Sequence, residues 1–393
     1  MVGFVAADAS SSPPIRTLTE QELTDMLVGS AIYCSRGSDT EGMINRMRNA
    51  LRGGRTFRMV SLQDFPDDWM AFTSSGIGGG GGWEHVAERY EAQGIKPYDS
   101  YTLSPEKVLS DYLGKEFKAI FPLEAGEALA FALATASRIG LPIIDADPTG
   151  RCIPEVQMSP FYFNKGIGRA PLAGVTKYGD EFIVPKTRDD FRAEDLLRGM
   201  SVASNGSVLA AMNALAGSVI KENLIPGFLT QSMRLGRAAR EALAAGQDPV
   251  QAVVQAGGGY LLFRGKVTRA ETRGEKGFGW SEAYLEGTGD FSDSDYRIYN
   301  KNENLVGWRD GKVNVAAPDV IAALDPKTGW AMLRHGPFVG SFKEGEELAI
   351  VGFPAHALWR TARSIQGFGP RYFGFDFDYV PIERYHGGSG GAN

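Results

Sequence analysis

A change of hydrophobic period partway along the chain restricts what it can fold into. Up to about residue 178, short apolar runs alternate with segments of helical period. Phe57 to Leu62, Met70 to Ser74, Lys118 to Phe121 and Pro142 to Ile144 read as strands. Thr17 to Val28, Asp39 to Leu51, Glu84 to Gln93, Pro105 to Tyr112 and Ala125 to Ile139 read as helices. Strand–helix alternation predicts an α/β layer with parallel pairing. Beyond it, Phe182 to Pro185 reads as a strand, and Val208 to Lys221 and Thr230 to Ala245 read as helices. From Tyr260 onward the helical period is lost. Short runs such as Leu261 to Phe263, Tyr296 to Tyr299, Leu305 to Trp308 and Leu348 to Val351 are separated by turn residues, the pattern of a β-barrel or sandwich.

The expected fold is therefore α/β plus β. A flexible arm (1–17) precedes an N-terminal α/β domain (18–178). A C-terminal domain (179–385) carries helices at about 208–245 and a β-barrel-like part at about 258–385, and a disordered tail (386–393) follows.

Composition narrows the function classes. The chain has 393 residues and a formal charge of −6, which disfavours nucleic acid and anionic membrane as partners. Two cysteines, Cys34 and Cys152, exclude a disulfide scaffold and a cysteine-rich zinc module, and four histidines offer little for a multi-histidine metal cage. With no cationic leader and no long apolar segment, a cytoplasmic location is expected. Glycine is in excess, 50 residues where an average chain of this length holds roughly 28.

Part of that excess is the run Gly76 to Gly82, broken only by Ile77, which follows a strand and precedes a helix. Backbone N–H groups of Gly78, Gly79 and Gly80 can approach an anion or a planar ring there, or the run is a surface loop. It lacks the Gly-Lys-Ser/Thr of a phosphate loop and a following acidic partner, so no nucleotide cofactor is expected. A second stretch, Pro142 to Glu155, ends a buried strand in Asp145 and Asp147 and continues through Arg151 to Glu155. Ligands bind at such strand ends in α/β sheets. The competing reading is an Asx-turn with a helix-capping aspartate. Glu124 closes another strand at a helix start. Any divalent metal would take oxygen ligands from the acidic cluster with one histidine nitrogen, the candidates being Asp145, Asp147 and His85.

Four segments resemble one family. Pro122 to Phe161, Leu262 to Val267 (LFRGKV), Asn302 to Val313 (NENLVGWRDGKV) and Gly369 to Glu383 (GPRYFGFDFDYVPIE) look like the S-methyl-thiohydantoin desulfurase family. The resemblance implies an α/β domain followed by a β-barrel-rich domain, and hydrolysis of a hydantoin-like ring. Where members carry a Gly-rich loop after the first helix, this chain reads Tyr33-Cys34-Ser35-Arg36-Gly37-Ser38-Asp39. The acidic segment retains Asp145, Asp147, Gly150, Arg151 and Glu155. The expectation is a hydrolase of a small cyclic amide or thioamide, with Asp145, Asp147, Glu124 and Glu155 activating water. Gly78, Gly79, Gly80, Arg151, Asn302 and Asn304 would hold the substrate where the two domains, or two subunits of a homo-oligomer, meet. The alternative is a non-catalytic protein partnering a hydantoinase-type enzyme.

Overall fold

The computed structural model describes residues 13–35, 37–78, 84–275, 278–332 and 342–387. Two sheets carry it. The first has nine strands: β1 (Ile15–Thr17), β2 (Arg58–Ser61), β3 (Met70–Gly78), β4 (Ala119–Phe121), β5 (Ile143–Asp147), β6 (Leu172–Thr176), β7 (Glu181–Val184), β8 (Ser207–Ala216) and β9 (Ile225–Pro226). Their order is β1-β2-β5-β4-β3-β8-β6-β7, with β9 paired to β5. The central strands β2, β5, β4 and β3 run parallel, and β8 joins β3 antiparallel.

Around this sheet lie α1 (Glu20–Tyr33), α2 (Thr40–Arg52), α3 (Glu84–Ala92), α4 (Pro105–Leu113), α5 (Glu127–Ile139), α6 (Pro160–Lys165), α7 (Asp190–Ala203), α8 (Gly217–Asn223), α9 (Phe228–Ala244) and α10 (Pro249–Gly257). Thr19 and Glu22 close a capping box at the start of α1, which satisfies donors the helix leaves open. Helix α1 then lies tightly on α9. A Cβ on Gly29 would collide with the carbonyl of Ser232, so only glycine permits that approach.

The second sheet is antiparallel, with seven strands in the order β14-β13-β12-β11-β10-β16-β15. These are β10 (Tyr260–Glu275), β11 (Phe278–Gly287), β12 (Asp295–Lys301), β13 (Glu303–Arg309), β14 (Lys312–Ala316), β15 (Val320–Leu324) and β16 (Glu347–Phe353). Short helices α11 (Ala362–Phe368) and α12 (Glu383–His386) follow. The sheet curls into a half-barrel rather than closing, since β14 and β15 remain separate ends of the strand order. The two halves share one core, in which Leu23, Phe72, Leu129 and Ile143 are continuous with Val320, Val351 and Phe353. Among the described residues no helix is long and apolar enough to cross a membrane.

Three sequence expectations are corrected. Val208 to Lys221 is not one helix: Ser207–Ala216 is β8 and only Gly217–Asn223 is helical. The run is alanine-rich and apolar on both faces, and a strand buried on both sides has no alternation to betray it. The α/β sheet therefore reaches Pro226, well past 178. Within the expected arm, Ile15–Thr17 pairs with β2 through register Ile15 to Val60. Residues 1–12 and 388–393, the rest of the arm and most of the expected tail, lie outside the described residues.

Candidate functional site

Strands β3, β4 and β5 run parallel, so their carboxyl ends open on the same edge of the sheet. The described segments leaving that edge are Pro122 to Gly126 after β4 and Pro148 to Ser159 after β5; the glycines after β3 lie outside the described residues. The turn between β12 and β13 packs against them. Asn302 forms that turn with φ +55°, a conformation asparagine tolerates better than most residues. Its N–H donates to Gly279 O at 2.7 Å and its Oδ1 accepts from Gly279 N at 2.8 Å.

Two buried guanidinium groups organise the edge. Arg151 is 1% exposed. It donates to the carbonyls of Cys152 (2.9 Å), Pro318 (2.6 Å) and Asp319 (3.0 Å) and lies over the Phe368 ring. Burial lowers its pKa to about 10, against the attraction of Glu303, Asp319 and Glu124. Arg169 is fully buried, its Nη1 donating to Asn213 Oδ1 at 2.7 Å and its Nε to Val156 O at 2.8 Å. Its pKa too is lowered by burial, with Asp190, Glu124, Glu194 and Asp147 opposing. Glu124 therefore feels both cations, and its Oε2 accepts from Ile153 N at 2.6 Å.

Nearer the surface lies a second cluster. Glu155 accepts from Lys301 Nζ, from Gln157 Nε2 and, at 3.3 Å, from Tyr372 Oη. Lys301 and Glu155 side chains are 12% and 11% exposed, partly dry yet reachable. The Lys301 ammonium lies 4.4 Å from the Phe278 ring centre and 5.3 Å from that of Trp280, an arrangement that favours a cation. Arg198 stacks on the other contact of Phe278 and donates to Gly78 O at 2.8 Å. It also pairs with Glu194, whose Oε2 accepts from Val156 N. The end of β3, the segment after β5 and the start of β11 and end of β12 thus meet in one place. Tyr372 is pushed above the usual tyrosine range by burial and by the Glu155 charge, so it keeps its proton as a donor.

Cys34 and Cys152 meet as a disulfide between the end of α1 and the segment after β5, both fully buried. They rest on the N-terminus of α5. A Cβ at Gly126 (φ +66°) would fall 2.8 Å from Cys34 Cβ and 3.5 Å from Cys152 Sγ. Glu127 Oε2 lies 3.7 Å from Cys34 Sγ, and buried Glu303 accepts from Ser35 Oγ at 3.0 Å.

The other residues singled out from sequence have these places. Asp145 caps the N-terminus of α9, accepting from Leu229 N (2.9 Å), Thr230 N (3.1 Å) and Thr230 Oγ1 (2.5 Å). Asp147 closes an Asx-type turn, its Oδ1 accepting from Thr149 N and Oγ1 and from Gly150 N. Its Oδ2 is buried with no hydrogen-bond partner among the described residues, and burial pushes its pKa up to about 6. Asp145 and His85 do not join it as a ligand set: Asp145 serves α9 and His85 is exposed on α3. Asn304 donates to the carbonyls of Ser35 and Ile321. Gly79 and Gly80 lie outside the described residues. Sequence reasoning missed Lys301, Tyr372, Arg198 and Arg169. Lys301 and Tyr372 stand inside or beside the family-like segments, and that was the available signal; Arg198 and Arg169 carried none.

An α/β sheet whose parallel strands end against an antiparallel half-barrel, with buried cations at the junction, defines a two-domain α/β-plus-β protein with a polar interdomain site. The chain belongs to the S-Me-THD-like family. Residues 21–186 match its N-terminal domain and residues 188–382 its C-terminal domain. A crystal structure of a protein from Chromobacterium violaceum shares the fold, with a TM-score of 0.70 at 19% identity over 93% of this chain and 100% of that one. No curated protein matches the chain.

Proposed function

We propose that the protein is a hydrolase of a small thiohydantoin- or hydantoin-type ring, acting at the Glu155–Lys301–Tyr372 cluster. The observation that carries this reading is a carboxylate held by a lysine and a protonated tyrosine at the carboxyl edge of the sheet, beside two aromatic faces. A planar ring can stack on an aromatic face of this kind. In this reading Glu155 takes a proton from water as the water attacks the ring carbon that bears sulfur or oxygen. Lys301 stabilises the negative charge that develops. Tyr372 returns a proton to the departing thiolate or to the ring nitrogen. Glu124, Arg151 and Arg169 hold the segment carrying Glu155 from beneath.

The test is turnover by the purified chain on S-methyl-thiohydantoins, thiohydantoins and hydantoins, followed by thiol release and by loss of ring absorbance. One of these rings is expected to be opened or desulfurised. Glu155→Gln should lower kcat by about 100- to 10,000-fold, the usual worth of a positioned base. Inertness of the wild type on the whole panel, or full activity of Glu155→Gln, would remove the proposal and favour a binding role.

A further inference from the structure

We infer that Cys34, Cys152 and Glu303, with the cysteines reduced, form a binding site for one zinc ion. This site is independent of the hydrolytic reading. The ligand-capable atoms of the three residues all lie within 4.8 Å of one another, and all three residues are buried. Two thiolates and a carboxylate match zinc, which takes sulfur and oxygen at roughly 2.3 and 2.0 Å in a tetrahedron. Those lengths place neighbouring sulfur and oxygen ligands about 3.5 Å apart. Glu127 Oε2 lies 3.7 Å from Cys34 Sγ, at the edge of this three-residue ligand set. The thiolate pair selects against calcium and magnesium, and the Glu303 carboxylate selects against copper(I).

The surroundings fix the ligands as a metal site requires. Ser35 holds Glu303 by one oxygen, and Arg151 holds the carbonyl of Cys152. Cys152 N donates to Tyr33 O, which ties the two cysteine segments together. Gly126, with no Cβ, leaves the cysteine pair uncrowded on the α5 side. An entry path exists as well. A cleft of 810 Å³ between α1, α2 and α5 has Glu127 in its wall. A cation in that cleft reaches Glu127, whose Oε2 lies 3.7 Å from Cys34 Sγ.

Opening the pair takes two electrons and two protons from a low-molecular-weight dithiol, which leaves as its own disulfide. Zinc then displaces the two thiol protons. The oxidised pair cannot ligate, so zinc occupancy follows the thiol state.

The experiment uses the full chain, reduced with dithiothreitol, freed of reductant without oxygen, and titrated with Zn²⁺ or Co²⁺. One zinc per chain is expected by elemental analysis. Co²⁺ should give a thiolate-to-metal charge-transfer band in the near ultraviolet, and Zn²⁺ should slow alkylation of both thiols. The C34S/C152S double variant should lose the bound zinc, and Glu303→Gln should weaken it at least ten-fold. Because a serine variant may misfold, protection of the wild-type thiols by Zn²⁺ serves as the second readout. Three results would each overturn the inference. They are equal zinc uptake by reduced wild type and the double variant, a cobalt spectrum without the thiolate band, and thiols that stay oxidised in the folded chain under dithiol.

Discussion

Asp147 offers a stability measurement whose size follows from its surroundings. The carboxyl group is fully buried, its Oδ1 takes three donors, and its Oδ2 has no partner among the described residues. Burial dominates and raises its pKa from 3.8 to about 6. Each unit is worth 1.36 kcal/mol, so ionising this group in the folded chain costs about 3 kcal/mol more than in the unfolded chain. The sign follows from proton counts. Between the two pKa values the folded state holds the proton and the unfolded state has lost it, so stability falls as pH rises through that interval and levels off above about pH 7. About 1–2 kcal/mol of the loss falls between pH 5 and pH 8. Asp147→Asn keeps the acceptor oxygen and supplies a neutral amide in place of Oδ2, so it lacks this slope. Urea unfolding of both proteins at pH 5, 6, 7 and 8 should show the variant gaining on the wild type by about 1–2 kcal/mol across the series. A difference that stays constant with pH would refute the assignment of a buried, uncompensated carboxyl.

Other consequences are as direct. Gly126→Ala meets both cysteine side chains and a φ of +66°, which together should cost about 2–5 kcal/mol in urea unfolding. Asp145→Ala uncaps α9 and should cost about 1–2 kcal/mol, with the loss of amide protection confined to the first turn of that helix by hydrogen exchange. Tyr372→Phe removes a donor to Glu155 while keeping the ring; we expect kcat to fall about ten-fold or more on the substrate found, with the unfolding midpoint unchanged.

Much of the architecture was legible because local chemistry and tertiary packing agree. Thr19 with Glu22 announces α1, and Asp39 announces α2 by accepting from Gly42 N. Strands β4 and β5 are short apolar runs bounded by prolines and charges, and both are buried as expected. Legibility fails at β8. The run Val208 to Ala216 has good helix formers, and its strand conformation comes from pairing on both sides with β3 and β6. Pairing with partners more than thirty positions away leaves no local trace, so propensity and outcome part there.

The site was readable on its α/β side and opaque on its β side, and the reason is geometric. Carboxylates at strand ends are visible because the strand itself is visible, which is how Asp145, Asp147, Glu124 and Glu155 came to notice. Their duties are set by what arrives from elsewhere. Asp145 faces α9, so its charge goes to Leu229 and Thr230 amides. Asp147, two residues on and on the same face, is sealed under its own turn. Glu155 lies past the turn, where Lys301 from the end of β12 and Tyr372 from the C-terminal segment reach it. No spacing within residues 142–155 separates these three outcomes; contacts spanning 146 and 217 positions do. The same holds for Cys34 and Cys152, unremarkable singly and 118 positions apart, which acquire a shared chemistry only when α5 presents a glycine against them and the β12–β13 turn lowers Glu303 onto the pair.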